Sequence, residues 1–312
     1  MPRCTSGSAT ISHLSKNKTL PLILPTPGLS ASEWHVTCYF KGMKKQSRKF
    51  QRKLAVVTGA SSGIGFELAK EFALHNFDLI LAAEDKGVIE AAEKLAMLGT
   101  TVNSIQVDLS THVGVERLHQ RIKKSGRVPD AVAINAGIGV SGDFARDTEL
   151  KDEMKLIKLN VVSSVHLAKL VLKDMVKQNE GRILFTSSLA STTPGPYMAI
   201  YHASKAFIQS FAEGIRDELR DTNITVTSLL PGATETNFFH RAHMEDTPLG
   251  EMKKDDAAMV ARQGFQALME GRDMVVAGSF RNKITAMAAR LVPQTWSAIM
   301  ARMETEPKQP RH

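Results

Sequence analysis

From residue 54 onward the chain alternates short apolar runs with longer amphipathic stretches. Runs that are apolar along their whole length are typical of strands buried on both faces of a parallel sheet, and the stretches between them have the length of helices. Strands are predicted at 54–58, 78–83, 102–107, 131–135, 182–186, 225–229 and 274–277, and helices near 63–75, 86–98, 112–124, 148–178, 200–220 and 255–270. The alternation predicts an α/β fold: a single doubly wound domain with a mainly parallel seven-stranded sheet and helices on both faces.

The same pattern divides the 312 residues into three parts: a basic leader at 1–52, the α/β domain at 53–280 and a C-terminal helical extension at 281–312. The net charge of +8 comes from the leader, because residues 1–53 carry ten lysines and arginines against one glutamate and the rest of the chain is close to neutral. A basic balance confined to the leader gives the domain no electrostatic footprint for nucleic acid. We therefore expect no nucleic-acid partner.

The leader has three interpretations that the sequence leaves open. Met43 is a natural start for such a domain, so the upstream residues can be a mis-called translation start. A basic, acid-poor leader is also compatible with an organelle transit peptide, and the third interpretation is a disordered tail. We expect a cytoplasmic location, with organelle import as the alternative. Both cysteines, Cys4 and Cys38, lie in this leader, so the domain has no cysteine for a disulfide or a thiolate metal site.

A glycine-rich turn follows the first predicted strand directly, and residues 58–65 read T-G-A-S-S-G-I-G. Glycine permits a tight turn and a close approach of the backbone to a pyrophosphate, while the N-terminus of the next helix offers free N–H groups to the anion. A turn at this place in an α/β domain indicates dinucleotide binding. The candidate contact residues in it are Gly59, Ser61, Ser62, Gly63, Ile64 and Gly65.

Further motifs follow in order along the chain: Asp108, then Asn135-Ala136-Gly137, Asn160, Ser188, Tyr201-x-x-x-Lys205, and Pro231-Gly232 with Thr234 and Thr236. Together with the glycine turn, they resemble the short-chain dehydrogenase/reductase superfamily over residues 53–280. The resemblance implies a Rossmann-type domain and a nicotinamide cofactor. It also implies cofactor-binding roles for Asp108, Asn135, Ala136, Gly137, Tyr201, Lys205, Pro231, Gly232, Thr234 and Thr236.

Tyr201 and Lys205 share one face of a predicted helix, because they are four residues apart. A tyrosine is a poor base at its ordinary pKa of about 10, and we expect the neighbouring ammonium to lower that pKa. The resemblance implies that Lys205 also holds the nicotinamide ribose, that Ser188 orients the substrate oxygen, and that Asn160 holds a water in a proton relay. These catalytic candidates predict interconversion of a carbonyl and an alcohol by hydride transfer, with Tyr201 as general acid/base. The alternative is a catalytically silent, dinucleotide-sensing protein on the same fold.

The residues after the second strand indicate which nicotinamide is used. Glu84 and Asp85 stand where relatives that prefer NADP often carry arginine, and a carboxylate accepts a hydrogen bond from a ribose 2′-hydroxyl but repels a 2′-phosphate. We therefore expect NAD(H) to be favoured over NADP(H), although Lys86 is close enough in sequence to meet a phosphate. Metal chemistry is not expected, since His112, His119 and His166 have no ligand partners at metal spacing in the sequence.

Two segments outside the motifs bear on partners. Residues 237–249 predict either a partly apolar lid over a small-molecule substrate or an amphipathic surface helix. The apolar stretch 284–303 has three possible roles: contact with a membrane surface, cover for the active site, or contact with another subunit; a packed terminal helix is preferred. The family resemblance also implies a homo-oligomer, a dimer or tetramer formed through the helices at 148–178 and 200–220.

Overall fold

The structure is a computed structural model that describes residues 52–289 and 292–308. The predicted leader lies outside the described residues, apart from Arg52. Seven strands lie in the domain: β1 (Lys53–Thr58), β2 (Phe77–Ala83), β3 (Val102–Gln106), β4 (Ala131–Ile134), β5 (Gly181–Thr186), β6 (Ile224–Pro231) and β7 (Met274–Ala277). Each predicted strand is found, and the ends differ from the predicted ones by at most two residues.

The helices follow the strands in the predicted alternation. They are α1 (Gly63–Leu74), α2 (Gly87–Ala96), α3 (His112–Lys124), α4 (Leu150–Ile157), α5 (Ser163–Gln178), α6 (Ala199–Glu218), α7 (Phe238–Arg241), α8 (Pro248–Glu251), α9 (Ala257–Met269), α10 (Phe280–Ala289) and α11 (Gln294–Thr305). A π-helical turn (Lys158–Val162) joins α4 to α5, and a short 3₁₀ helix (Leu189–Thr192) follows β5.

The strands form one sheet in the order β3-β2-β1-β4-β5-β6-β7, and every neighbouring pair is parallel. The predicted doubly wound α/β fold is confirmed, with a sheet that is wholly rather than mainly parallel. The chain winds outward in opposite directions from β1 and β4. In such sheets the crevice beyond the carboxyl ends of these two strands is the usual place for a ligand.

Helices cover both faces of the sheet because side chains of each strand alternate between the faces. Ala55 and Val57 of β1 join one core cluster with α1, α2 and α9, whereas Leu54 and Val56 join the other with α3, α5 and α6. The first cluster is centred on Phe72, whose ring makes edge contacts with those of Phe77 and Phe265 at centroid distances of 5.1 and 5.2 Å. This two-sided core holds the carboxyl ends of the strands at one edge.

The single helix predicted at 148–178 is wrong in one respect, since the chain forms α4, the π-helical turn and α5. A π turn accommodates one extra residue, and such turns occur often at functional sites. The insertion does not interrupt the apolar periodicity, so the pattern gave no sign of it. It places Asn160 inside the domain at 2% exposure.

The structure also describes the two segments for which the sequence leaves more than one role, 237–249 and the C-terminal extension. Residues 237–249 form no continuous surface helix; they contain the one-turn α7 and the start of α8, with Phe239 and Met244 buried. The C-terminal extension forms α10 and α11, and Pro293 is the N-cap residue of α11. Within residues 52–289 and 292–308 no helix combines the length and apolar character needed to cross a membrane.

Candidate active site

A cavity of about 900 Å³ opens at the carboxyl ends of the strands, where β1 and β4 diverge. Its walls include every residue predicted to bind the cofactor: Gly59, Ser61, Ser62, Gly63, Ile64, Gly65, Glu84, Asp108, Asn135, Ala136, Gly137, Tyr201, Lys205, Pro231, Gly232, Thr234 and Thr236. Ser188 lines it as well, whereas Asn160 does not. The structure therefore brings residues from six loops to one cavity of a size that suits a dinucleotide and a small substrate.

The glycine turn has no room for side chains at the positions where the backbone must curve. Gly59 has a φ of +67°, and Gly63 a φ of +57°, which is the left-handed region that glycine adopts without strain. A Cβ on Gly65 would lie 2.1 Å from the Gly59 carbonyl oxygen. The turn is thus closed on itself, and the N-terminus of α1 faces the cavity with free N–H groups, as an anionic pyrophosphate requires.

A buried hydroxyl joins the glycine turn to the loop after β4. The Thr58 Oγ1 accepts hydrogen bonds from the backbone N–H of Asn135 at 2.9 Å and of Ala136 at 3.0 Å. The Asn135 amide donates to the Thr58 carbonyl at 3.1 Å and accepts from the Thr186 hydroxyl at 3.1 Å. The side chain of Asn135 therefore links the ends of three strands. By doing so it positions the 135–137 backbone in the cavity wall.

Tyr201 and Lys205 lie on the first turns of α6, and Ser188 lies at the end of the loop after β5. The Ser188 hydroxyl is hydrogen-bonded to the Tyr201 hydroxyl. The neighbouring Ser187 instead donates to the Lys205 carbonyl at 3.2 Å. A substrate oxygen placed against Tyr201 would thus meet two hydroxyl groups, which is the arrangement that stabilises charge developing on that oxygen.

The expected lowering of the Tyr201 pKa is not found, and burial instead raises the pKa of Tyr201 to about 12, with the Ser188 hydrogen bond acting in the opposite direction. The reason is the position of Lys205. Its Nζ lies 5.7 Å from the centre of the Tyr201 ring and donates to the Thr186 carbonyl at 2.9 Å. Burial lowers the pKa of Lys205 to about 8. Near pH 7, therefore, Tyr201 carries its proton and Lys205 is an ammonium.

Asn160 uses its side chain to join two parts of the domain, and its role in holding a water stays a prediction. Its Oδ1 accepts from the Ile138 N–H at 3.0 Å, and its Nδ2 donates to the Ile138 carbonyl at 3.0 Å and to the Ser204 hydroxyl at 3.1 Å. Both N–H groups of the amide are used in joining the loop after β4 to α6. Asn160 therefore acts on the site through the placement of Gly137, where a Cβ would lie 3.2 Å from its Oδ1.

Charged groups surround the part of the cavity beyond β2. Glu84 forms an ion pair with Lys155 of α4 at 2.9 Å, and both side chains are about half exposed. Asp85 accepts from the Ser61 hydroxyl at 2.8 Å and lies 3.8 Å from Arg241 of α7. The sequence did not single out Lys155, because 71 residues separate it from its partner. Two carboxylates, two cations and a hydroxyl thus meet in this part of the cavity wall.

Two further groups of contacts have no signal in the sequence. The Asn282 side chain donates to Asp255 at 2.7 Å and to the Ala277 carbonyl at 2.8 Å, and it packs so closely on Gly232 that a Cβ there would lie 2.5 Å away. At the other end, the Tyr197 hydroxyl donates to Glu306 at 2.6 Å, and the Thr305 hydroxyl donates to the Pro196 carbonyl at 2.7 Å. These last contacts fasten α11 beside the cavity, whose wall includes Glu304 and Thr305.

Comparison with known proteins agrees with this geometry. Residues 53–246 match the family model of the short chain dehydrogenase. A "Dehydrogenase/reductase SDR family protein 7-like" of Anopheles gambiae is 33% identical over 226 residues, which cover 70% of this chain and 69% of the relative. A solved short-chain dehydrogenase from Sphingobium yanoikuyae in complex with NADPH is 28% identical, with a TM-score of 0.67 over 72% of this chain and 87% of that one.

A structure from Burkholderia phymatum, a short chain dehydrogenase/reductase in complex with NAD, shares the fold. Its TM-score is 0.70, with 24% identity over 84% of this chain and 99% of that chain. These matches define the class as NAD(P)-dependent oxidoreductases. This chain belongs to the short-chain dehydrogenase family.

Proposed function

We propose that the protein interconverts a ketone or aldehyde and the corresponding alcohol, with Tyr201 as the general acid/base. The observation that carries this proposal is the convergence of Ser188, Tyr201 and Lys205 on the same cavity as the glycine turn. A bound nicotinamide supplies or accepts the hydride in such a reaction. The side chains of this chain hold the substrate oxygen and move the proton.

In the reducing direction, the substrate oxygen accepts hydrogen bonds from the Ser188 and Tyr201 hydroxyls. As negative charge develops on that oxygen, Tyr201 donates its proton, which its high pKa keeps in place at neutral pH. The phenolate left behind faces the Ser188 hydroxyl, which favours the ionised form, and the Lys205 ammonium lies 5.7 Å from the centre of the ring. Oxidation of an alcohol reverses these steps, with the phenolate as base.

The apolar wall next to Tyr201 supports a substrate with an apolar group beside the carbonyl. The Phe238 ring lies 5.1 Å from the Tyr201 ring between centroids, and Met198 and Phe239 are buried in the same cluster. All three line the cavity. The substrate class is accordingly a small carbonyl or alcohol compound with an apolar substituent.

Turnover distinguishes this function from the alternative of a catalytically silent dinucleotide sensor. The full chain is assayed for oxidation of NADH and NADPH with a panel of aldehydes and ketones, and for reduction of the oxidised cofactors with alcohols. The enzyme turns over members of the panel, and Ser188→Ala lowers kcat while leaving cofactor affinity unchanged. Tight cofactor binding without turnover of any panel member, in either direction, would favour the sensor instead.

NAD(H) is the proposed cofactor in preference to NADP(H), because Glu84 and Asp85 both line the cavity and a 2′-phosphate would meet their charge. Lys155 moderates this effect by pairing with Glu84. Glu84→Gln should therefore raise kcat/KM for NADPH relative to NADH, and Lys155→Gln should lower it, because that change leaves Glu84 unpaired. A wild-type preference for NADPH, unchanged in Glu84→Gln, contradicts the proposal.

A homo-oligomer formed through the segments 148–178 and 200–220 is proposed, and their exposed apolar side chains support it, among them Val162, Val176 and Phe207. Light scattering of the full chain, compared with a Phe207→Lys variant, tests this assembly.

A cytoplasmic location is tested by fractionation of cells that express the full chain, and recovery in an organelle fraction would favour import instead.

A further inference from the structure

Three side chains with metal-binding atoms meet far from the active site, at the contact of α3 with α5. His112 is the first residue of α3, Glu116 lies one turn further on, and His166 lies on the first turn of α5. The ligating atoms of all three lie within 4.8 Å of one another. None of these residues lines the active-site cavity. Spacing along the sequence does not reveal this group, because its members come from two helices that are distant in sequence.

The distances are close to those of a coordination shell. Zn²⁺ binds histidine nitrogen and carboxylate oxygen at about 2.0–2.2 Å, so neighbouring ligand atoms in a tetrahedron lie about 3.3 Å apart. The His166 Nε2 and the Glu116 Oε1 are already 2.9 Å apart. The His112 ring stacks on the His166 ring at 4.5 Å between centroids and is exposed, so rotation of its side chain brings a nitrogen to the shared point.

A neighbouring histidine at the contact of the same two helices differs in the charges around its carboxylate partner. His119 lies 3.6 Å from Asp174, whose charge is also met by Lys123 at 3.2 Å and Lys177 at 3.9 Å. Glu116, by comparison, has no ion pair with a lysine or arginine in the described part of the chain, and its partner is His166. One carboxylate with two imidazoles and an open side toward solvent is the ligand set of a cation site, whereas the His119 group is already neutralised.

We propose that His112, Glu116 and His166 form a Zn²⁺ site, in which water completes the tetrahedron. The ion would tie the start of α3 to α5. The start of α3 is in turn joined to Asp108 in the cavity wall, because Asp108 accepts from the Ser110 N–H at 2.8 Å and from the Thr111 hydroxyl at 2.9 Å. The site thus stabilises the fold on the side of the cavity where Asp108 lies, and this inference does not depend on the proposed reaction.

The test uses the full chain, freed of any affinity tag and of metal by chelation, and titrated with ZnCl₂ against a chromophoric chelator. The wild type and His119→Ala bind one equivalent with equal affinity. Glu116→Gln and His166→Ala weaken binding by more than about 100-fold, which exceeds the usual effect of changing an outer-shell partner. Co²⁺ gives the visible absorption of a four-coordinate site in the wild type and not in these variants.

His112→Ala keeps the experiment decisive if a variant at a more buried position fails to fold, because His112 is exposed and its removal takes only the ring stacking on His166 from the helix contact. Zinc raises the unfolding temperature of the wild type and of His119→Ala, and leaves that of His112→Ala unchanged. Equal zinc affinity in the wild type, His112→Ala and Glu116→Gln would overturn the proposal, as would the absence of any stoichiometric binding.

Discussion

The Thr58 hydroxyl is a single buried group on which the shape of the cofactor cavity depends. It is 1% exposed, accepts from two backbone N–H groups at 2.9 and 3.0 Å, and donates to the Ala133 carbonyl at 3.4 Å. Thr58→Val keeps the size and branching of the side chain but leaves both N–H groups without their acceptor. An unsatisfied buried donor costs about 1–3 kcal/mol. Because Asn135 and Ala136 are only half-buried, we expect the two donors together to lower the free energy of unfolding by about 2–4 kcal/mol.

Urea unfolding followed by circular dichroism measures this loss, and titration with NADH measures the effect on the cavity. The unfolding midpoint falls with an unchanged m-value, and NADH binds more weakly because the 135–137 backbone loses its anchor. Thr58→Ser is the matched control: it retains the oxygen and removes one methyl group, at a cost of about 1 kcal/mol. A Thr58→Val protein within about 0.5 kcal/mol of the wild type, or no more destabilised than Thr58→Ser, would refute the assigned role.

Two further predictions concern Lys205 and α11. Burial lowers the pKa of Lys205 to about 8, so the ammonium present at pH 7 is lost as pH rises. A pH–rate profile should therefore show that carbonyl reduction slows between pH 7 and 9. A rate that rises across this range argues against the assignment. Tyr197→Phe removes the hydroxyl bonded to Glu306 and Arg302 and should raise the substrate KM several-fold, with kcat and cofactor affinity unchanged. An unchanged substrate KM would show that α11 does not shape the substrate site.

Much of this architecture is predictable from local sequence, because each strand is apolar along its length and each is followed by a helix-length stretch. The glycine turn is predictable for a similar reason: tight curvature before a helix requires glycine at fixed positions, such as Gly59 and Gly63. Local sequence patterns do not indicate interactions between residues that are far apart along the chain. Lys155 reaches Glu84 across 71 residues, and His166 reaches Glu116 across 50.

Side chains at the motif positions also make contacts that only the packing shows. Asn160 lies in a π-helical turn, and its amide forms hydrogen bonds with Ile138 and Ser204. Lys205 is held by the Thr186 carbonyl, so burial rather than charge dominates the pKa of Tyr201. Most of the residues that the motifs name line the cavity, whereas their protonation depends on distances and burial that spacing along the chain does not determine.

The role of Tyr201 as proton donor is tested most directly by single-turnover hydride transfer in Tyr201→Phe. The protein is mixed with reduced cofactor and a carbonyl substrate found in the panel, and the decay of cofactor absorbance gives the rate of the chemical step apart from product release. The ring still packs on Phe238, so cofactor affinity and stability should stay close to wild type. Removal of the proton donor is predicted to slow the step by about 10²–10⁴-fold. A single-turnover rate equal to that of the wild type would contradict the mechanism.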